Sequence, residues 1–100
     1  MKRRNAAGYV SMKYSVYVLR SKKDGKLYVG FTHDINKRVS EHNLGKVDVT
    51  KKRRPFDLVY CELFKNEYDA RKREYYYKSG WGRRHLMKTL HHTLQKIEAK

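Results

Sequence analysis

The stretch from Tyr14 to Phe31, YSVYVLRSKKDGKLYVGF, decides the fold. Tyr14, Val16, Tyr17 and Val18 are β-branched or aromatic residues that suit a pleated surface, so Tyr14–Leu19 is expected to form a strand. Asp24-Gly25 supplies a hairpin-type turn, and Lys26–Phe31 should pair back antiparallel. Gly30 sets a position without a side chain inside that second strand, which points to a bulge or to another group closing on the backbone.

Downstream of the hairpin, Asp34 can cap a helix that carries Ile35, Val39 and His42 at spacings of four and three, and Asn43-Leu44-Gly45 should stop it. Residues 46–54 read as a basic loop. After Pro55, Leu58, Val59, Tyr60, Cys61 and Leu63 mark a third strand over Asp57–Phe64. Asn66 is the expected N-cap of a second helix running to about Ser79, with Asp69 completing a weak capping box. Gly80 and Gly82, flanking Trp81, are expected to break it. A final helix from Arg83 would place Leu86, Leu90, Leu94 and Ile97 along one face. The expected class is α+β: a small central antiparallel three-stranded sheet flanked by helices, in the order β-β-α-β-α-α. Residues 1–13 read as a flexible basic extension in which Met12 offers a second possible start, residues 14–82 as the domain, and residues 83–100 as a C-terminal helix packing on it.

The chain has 100 residues and a formal net charge of +15, from 25 Lys and Arg against 10 Asp and Glu. That length leaves no room for two packed domains. Val, Ile, Leu and Phe sit barely above the roughly 20% below which a highly charged chain tends to stay disordered, so any core must be small. Nine Tyr, three Phe and one Trp make up the shortfall, because an aromatic ring buries a large apolar body while its polar edge still reaches water. The positive charge is spread over both halves, and such a field attracts nucleic acid first, anionic membrane surfaces second, or serves solubility alone. No apolar run approaches the ~20 residues needed to cross a bilayer, and no apolar segment follows the basic start, so a soluble, intracellular, cytoplasmic and nucleoid-associated protein with no membrane partner is expected. Cys61 is the single cysteine; it allows no intrachain disulfide and reads as strand packing.

Several side chains could carry chemistry. Tyr17 and Tyr28 lie on adjacent hairpin strands and can share a face if the register allows. Arg38 and His42 stand at i and i+4 on the helix that follows, and Glu74 and Lys78 repeat that spacing on the next long helix. Taken singly, each reads more simply as packing, a solvated face or a weak surface ion pair. Taken together, the order Ser15-Val16-Tyr17, ten intervening residues, Tyr28-Val29-Gly30, then Arg38, His42 and Glu74 resembles the GIY-YIG nuclease family. The likeness covers residues 14 to about 80. It is nearest to small single-domain members and to the nuclease domain of the excision-repair incision subunit. Lys37 to Asn43, Arg54-Pro55, Leu58-Val59-Tyr60 and Ala70 to Lys78 also fall in the familiar order. Ser15 stands where the family name has Gly.

The resemblance implies a metal-dependent DNA endonuclease, directed by backbone shape or an unpaired structure, acting in repair, recombination or mobile-element processing. Glu74 would hold a single Mg²⁺ or Mn²⁺; Mg²⁺ suits such a site because it keeps several waters and needs only one or two carboxylates. Tyr17 would be the general base, a phenol with an ordinary pKa near ~10 that the metal and nearby cations must acidify. Arg38 would clamp the phosphate with its planar fork. Tyr28 and His42 would position water or relay a proton, and Lys78 would add charge at the scissile group. Lys51, Lys52, Arg53 and Arg54, with Arg73, are candidate phosphate contacts. The substrate form, and RNA as a substrate, stay open. The competing reading is a nucleic-acid-binding module on the same fold with weak or lost catalysis. His85, His91 and His92 read as structural, since no converging acidic or thiol ligand accompanies them. Stacking of one of Tyr75, Tyr76 and Tyr77 on an unpaired base is an open reading.

Overall fold

The hairpin forms as its sequence suggests and grows into a sheet with the first strand at its centre. A computed structural model describes residues 12–98. It contains β1 (Tyr14–Ser21), β2 (Leu27–Thr32), α1 (Ile35–Asn43), a short 3-10 turn (Lys51–Arg53), β3 (Phe56–Phe64), α2 (Glu67–Tyr77), α3 (Gly80–Thr89) and α4 (His91–Glu98). The strand order is β2-β1-β3 and both pairings are antiparallel. The expected extension falls mostly on residues 1–11, which lie outside the described residues.

Central placement explains why β1 is buried on both faces whereas its neighbours are partly open. Val16 and Val18 face α2, α3 and α4, packing with Val29, Ala70, Tyr77, Leu86, Leu90 and Leu94. Tyr17 and Leu19 point the other way, onto Phe56, Tyr28 and the Ile35 and Val39 face of α1. The period-two alternation of a strand thus sorts one segment into an aliphatic face and a tyrosine face.

Register settles the question raised by Gly30. Tyr17 pairs with Gly30 and Leu19 with Tyr28, so the two tyrosines are two positions apart on one face, their ring centroids 6.4 Å apart. A Cβ on Gly30 would sit 2.3 Å from the Tyr17 phenol carbon and hydroxyl oxygen. Gly30 is the bed on which the Tyr17 ring lies. The irregularity falls in β3 instead, where Val18 pairs with Tyr60 but Leu19 with Leu58, leaving Val59 as an extra residue.

Caps fix the helices. The Asp34 carboxylate accepts from the Lys37 N–H at 3.1 Å and starts α1. The Asn66 side chain accepts from Tyr68 N–H at 2.8 Å and starts α2. At its far end α1 is tied to β3 by Asn43, whose side-chain oxygen accepts from Phe56 N–H at 2.7 Å while its amide donates to the Phe56 carbonyl at 3.2 Å.

The glycine-rich break differs from expectation. Ser79 ends the turn and caps the next helix, its hydroxyl accepting from Gly82 N–H at 3.1 Å, so α3 already begins at Gly80. Gly82 lies inside that first turn, where a Cβ would fall 1.9 Å from the Tyr76 carbonyl oxygen. The expected single C-terminal helix is also divided at Leu90 into α3 and α4. Leu86, Leu90 and Leu94 still share the core; the side chain of Ile97 lies outside the described residues.

Candidate active site

The tyrosine face of β1 is closed by α1 and by the loop before β3. His42 is fully buried there. Its Nε2 lies 2.8 Å from the Tyr17 hydroxyl and its Nδ1 2.8 Å from Thr50 Oγ1. Burial, with the Arg38 charge adding to it, pushes the imidazole down to about 4, so the ring is neutral. A neutral imidazole has one donor and one acceptor nitrogen. Burial pushes Tyr17 up to about 12, so its O–H persists and donates to Nε2. The Nδ1–H then donates to Thr50, whose own hydroxyl is 3.4 Å from the Val47 carbonyl. The chain of hydrogen bonds runs from the site into the protein and ends on backbone.

Tyr17 is itself only 1% exposed; its hydroxyl meets Arg38, which pulls the phenol down, while Tyr28 and the Glu74 carboxylate push it up. Glu41 holds the Arg38 guanidinium with a 2.9 Å contact to Nη1. A shallow cavity of about 420 Å³ opens beside Arg38 and Glu41 under Phe31. Tyr28 is half-buried, its ring 5.1 Å from that of His42. Lys78 closes on Glu74 at 2.8 Å.

The structure therefore brings Tyr17, Tyr28, Arg38 and His42 into one cluster and places Glu74, with Lys78, within electrostatic reach of the phenol. His42 corrects the expectation placed on it. It is shut off from solvent, so it reaches the site only through the Tyr17 hydroxyl and cannot position water directly. The expected acidification of Tyr17 by surrounding cations is likewise outweighed by burial in this state. Among the described residues no group of three His, Cys, Asp or Glu converges; His85 Nδ1 lies 3.2 Å from the Tyr76 hydroxyl, and His91 and His92 are exposed. Of the two carboxylates at the site, Glu41 is held by Arg38 and Glu74 by Lys78, and a cation that retains most of its waters fits a single carboxylate donor such as Glu74.

The basic candidates divide. Lys51 and Lys52 are exposed, Lys51 making only a 3.7 Å contact with the exposed Asp48. Arg54 is exposed and donates to the Lys51 carbonyl at 2.8 Å. Arg53 turns inward, its Nε 2.8 Å from Asp24, its Nη2 3.2 Å from the Lys26 carbonyl and its plane over Phe56. Arg73 is likewise committed. Its Nε lies 2.9 Å from Glu62, a carboxylate that also accepts from the Tyr60 and Tyr77 hydroxyls, and its guanidinium lies over the Tyr77 ring. These two arginines brace the fold: Arg53 ties the hairpin turn to the basic loop, and Arg73 ties α2 to β3. A cavity of about 660 Å³ flanks Arg73 and Glu62 and shares none of the tyrosine-site residues.

Residues 13–88 match the GIY-YIG catalytic domain. The chain belongs to the GIY-YIG family. Its relatives include a UPF0213 protein of Staphylococcus saprophyticus, 46% identical over 68 residues that cover 67% of this chain and 82% of the relative. A UPF0213 protein of Staphylococcus aureus is 45% identical over 65 residues, covering 64% and 78%. The solution structure of a UPF0213 protein from Bacillus halodurans is similar at 34% identity and a TM-score of 0.49, over 76% of this chain and 83% of that one. Within this GIY-YIG domain, Thr50 and Glu41 are site residues that sequence reasoning missed. Glu41 carried a signal, three residues beyond Arg38 on one helix. Thr50 carried none, since its loop has no periodicity to align it with His42.

Proposed function

We propose that this GIY-YIG domain is a divalent-metal-dependent DNA endonuclease. The observation that carries the reading is the Tyr17 hydroxyl, held between the Arg38 guanidinium and the neutral His42 ring within reach of the Glu74 charge. Phosphodiester hydrolysis needs a base for the attacking water, positive charge for the phosphorane-like transition state and a proton for the leaving oxygen. Glu74 would hold the cation, which when bound supplies positive charge at the phosphate and acidifies water beside it.

The remaining roles fall to the chain's own residues. Arg38, pre-positioned by Glu41, grips a phosphate oxygen with its fork. Tyr17 acts as base once its own proton has left to solvent, as a phenolate whose oxygen beside Arg38 takes the proton of the attacking water. Its own proton does not settle on His42, because a phenol at about 12 and an imidazole at about 4 are too far apart. His42 and Thr50 instead fix the direction of the phenol. Neutralising Glu74 removes an anion that holds the phenol protonated. Tyr28 borders the phosphate position, and Lys78, released from Glu74, adds charge there.

Glu74→Gln tests the reading. It removes the carboxylate's charge at nearly constant volume. A panel of labelled duplex, branched and single-stranded DNA and RNA, incubated with Mg²⁺ or Mn²⁺, should be cut by wild-type protein and left intact by the variant. Metal-free DNA binding should hold or strengthen, since a negative charge facing phosphate is gone. Wild-type protein that cuts nothing in the panel would favour a binding module. Full activity in Glu74→Gln would sink the metal assignment.

A further inference from the structure

Among the described residues, the aromatic side chains left most open to solvent all lie on α2 and α3. Tyr68 is 79%, Tyr75 81% and Trp81 74% exposed. Rings with this much apolar surface ordinarily find cover in a chain so short of it. Each is followed three residues later by a cation: Tyr68 by Arg71, Tyr75 by Lys78, Trp81 by Arg84. On a helix the third residue along is a neighbour on the same side. Arg84 indeed lies over the Trp81 ring, 5.0 Å from its centroid. Seven residues separate Tyr68 from Tyr75, two turns of α2, or about 10.5 Å at 1.5 Å per residue. Tyr75 follows Glu74 in the chain, and Trp81 stands in the first turn of the next helix, α3. The cations are within reach of a partner: Arg71 and Lys78 are 55% and 47% exposed, Lys78 paired with Glu74 and Arg71 with Glu67 while its guanidinium lies 4.1 Å from the Phe31 ring centroid, and such surface pairs are worth little in water.

We infer that this aromatic-cation row is a base-stacking platform for single-stranded DNA, with Tyr68, Tyr75 and Trp81 receiving unpaired bases and Arg71, Lys78 and Arg84 receiving the intervening phosphates. Duplex DNA hides its base faces and would use only the cations. A single strand uses both, which is the chemistry of alternating rings and charges. An acidic partner surface would satisfy the cations and leave three rings bare, whereas the net charge of +15 favours a polyanion that brings its own planar faces. The choice of DNA rests on the nuclease reading above; the platform itself does not.

The test is metal-free binding of the full chain, followed by fluorescence anisotropy, to labelled sixteen-residue oligo-dT, to a duplex of equal length and to oligo-U. Stacking is worth roughly 1–3 kcal/mol per base, so Tyr68→Ala with Tyr75→Ala should weaken oligo-dT binding at least about tenfold and duplex binding less than about twofold. Tyr68→Phe with Tyr75→Phe keeps both rings and should bind oligo-dT like wild type. Quenching of the single tryptophan on adding oligo-dT should report Trp81 directly. Equal losses on duplex and single strand would overturn the inference, as would no loss, or failure of the Phe pair to bind. Tighter ring-dependent binding of oligo-U would overturn the choice of DNA. A wild-type dimer in sedimentation that the Ala pair dissolves would assign the row to a second copy of the chain instead. Cleavage enters none of these readouts, so an inactive protein that stacks oligo-dT refutes only the nuclease reading.

Discussion

His42 shows how far burial sets the chemistry of one residue. A ring held at about 4, against an ordinary value of about 6.5, takes up its proton later than it would in the unfolded chain. Stability is therefore intact above about pH 6.5 and falls as pH drops toward 4, where the unfolded chain alone is protonated. Melting followed from pH 7 to 4.5 should show that fall in wild type and a flatter profile in His42→Gln. An identical slope in the two proteins would contradict it. Thr50 supports the same ring from behind. Thr50→Val keeps the shape but leaves the buried Nδ1–H without its acceptor, at an expected cost of about 1–3 kcal/mol in urea denaturation. Thr50→Ser should restore most of it. Strand alternation and i, i+4 spacing allowed Tyr17 to neighbour Tyr28, Arg38 to neighbour His42 and Glu74 to neighbour Lys78, and the resemblance to the GIY-YIG family is what singled them out as a site. Thr50 was legible in neither way, because a contact made by an irregular loop leaves no period to read.

Elements whose signals are local behaved as read: the Asp24-Gly25 hairpin, the Asp34 and Asn66 caps, and the third strand. The Gly80-Trp81-Gly82 segment did not, because a glycine pair carries two meanings in sequence, a stop or a close approach. The capping serine and the Tyr76 carbonyl choose between them in space. The two glycines should consequently respond in opposite ways. Gly82→Ala drives a methyl group into the α2 backbone and should cost about 3 kcal/mol, the upper end for overpacking. Gly80 has open space around it, and Gly80→Ala should be neutral or stabilise by up to about 1 kcal/mol. Equal effects in chemical denaturation would show that α3 is not seated on α2 through Gly82. The division at Leu90 was hidden for a related reason: Leu86, Leu90 and Leu94 keep helical spacing across it, so the apolar period runs through the break.

At the scale of the whole molecule, the charge of +15 sets the field but does not say which cations meet the ligand. Composition treats Lys51, Lys52, Arg53 and Arg73 alike. The fold separates them, since Arg53 and Arg73 spend their guanidinium groups on Asp24 and Glu62 while Lys51 and Lys52 face solvent. Binding and stability should part along that line. Neutralising about six phosphates gives a log-log salt slope near roughly −5 on duplex DNA. Lys51→Ala with Lys52→Ala should make that slope shallower by about 2, one for each lost phosphate contact, with little change in melting. Arg73→Ala should leave the slope nearly as it is, because its charge is already matched by Glu62. It should cost about 2 kcal/mol of stability, below the value for a fully buried pair because about a third of the side chain is exposed. Titrations of one duplex at several salt concentrations, paired with urea denaturation of each variant, separate the two effects. A slope that falls for Arg73→Ala and holds for the lysine pair would reverse the assignment and place the nucleic-acid path across α2 and β3.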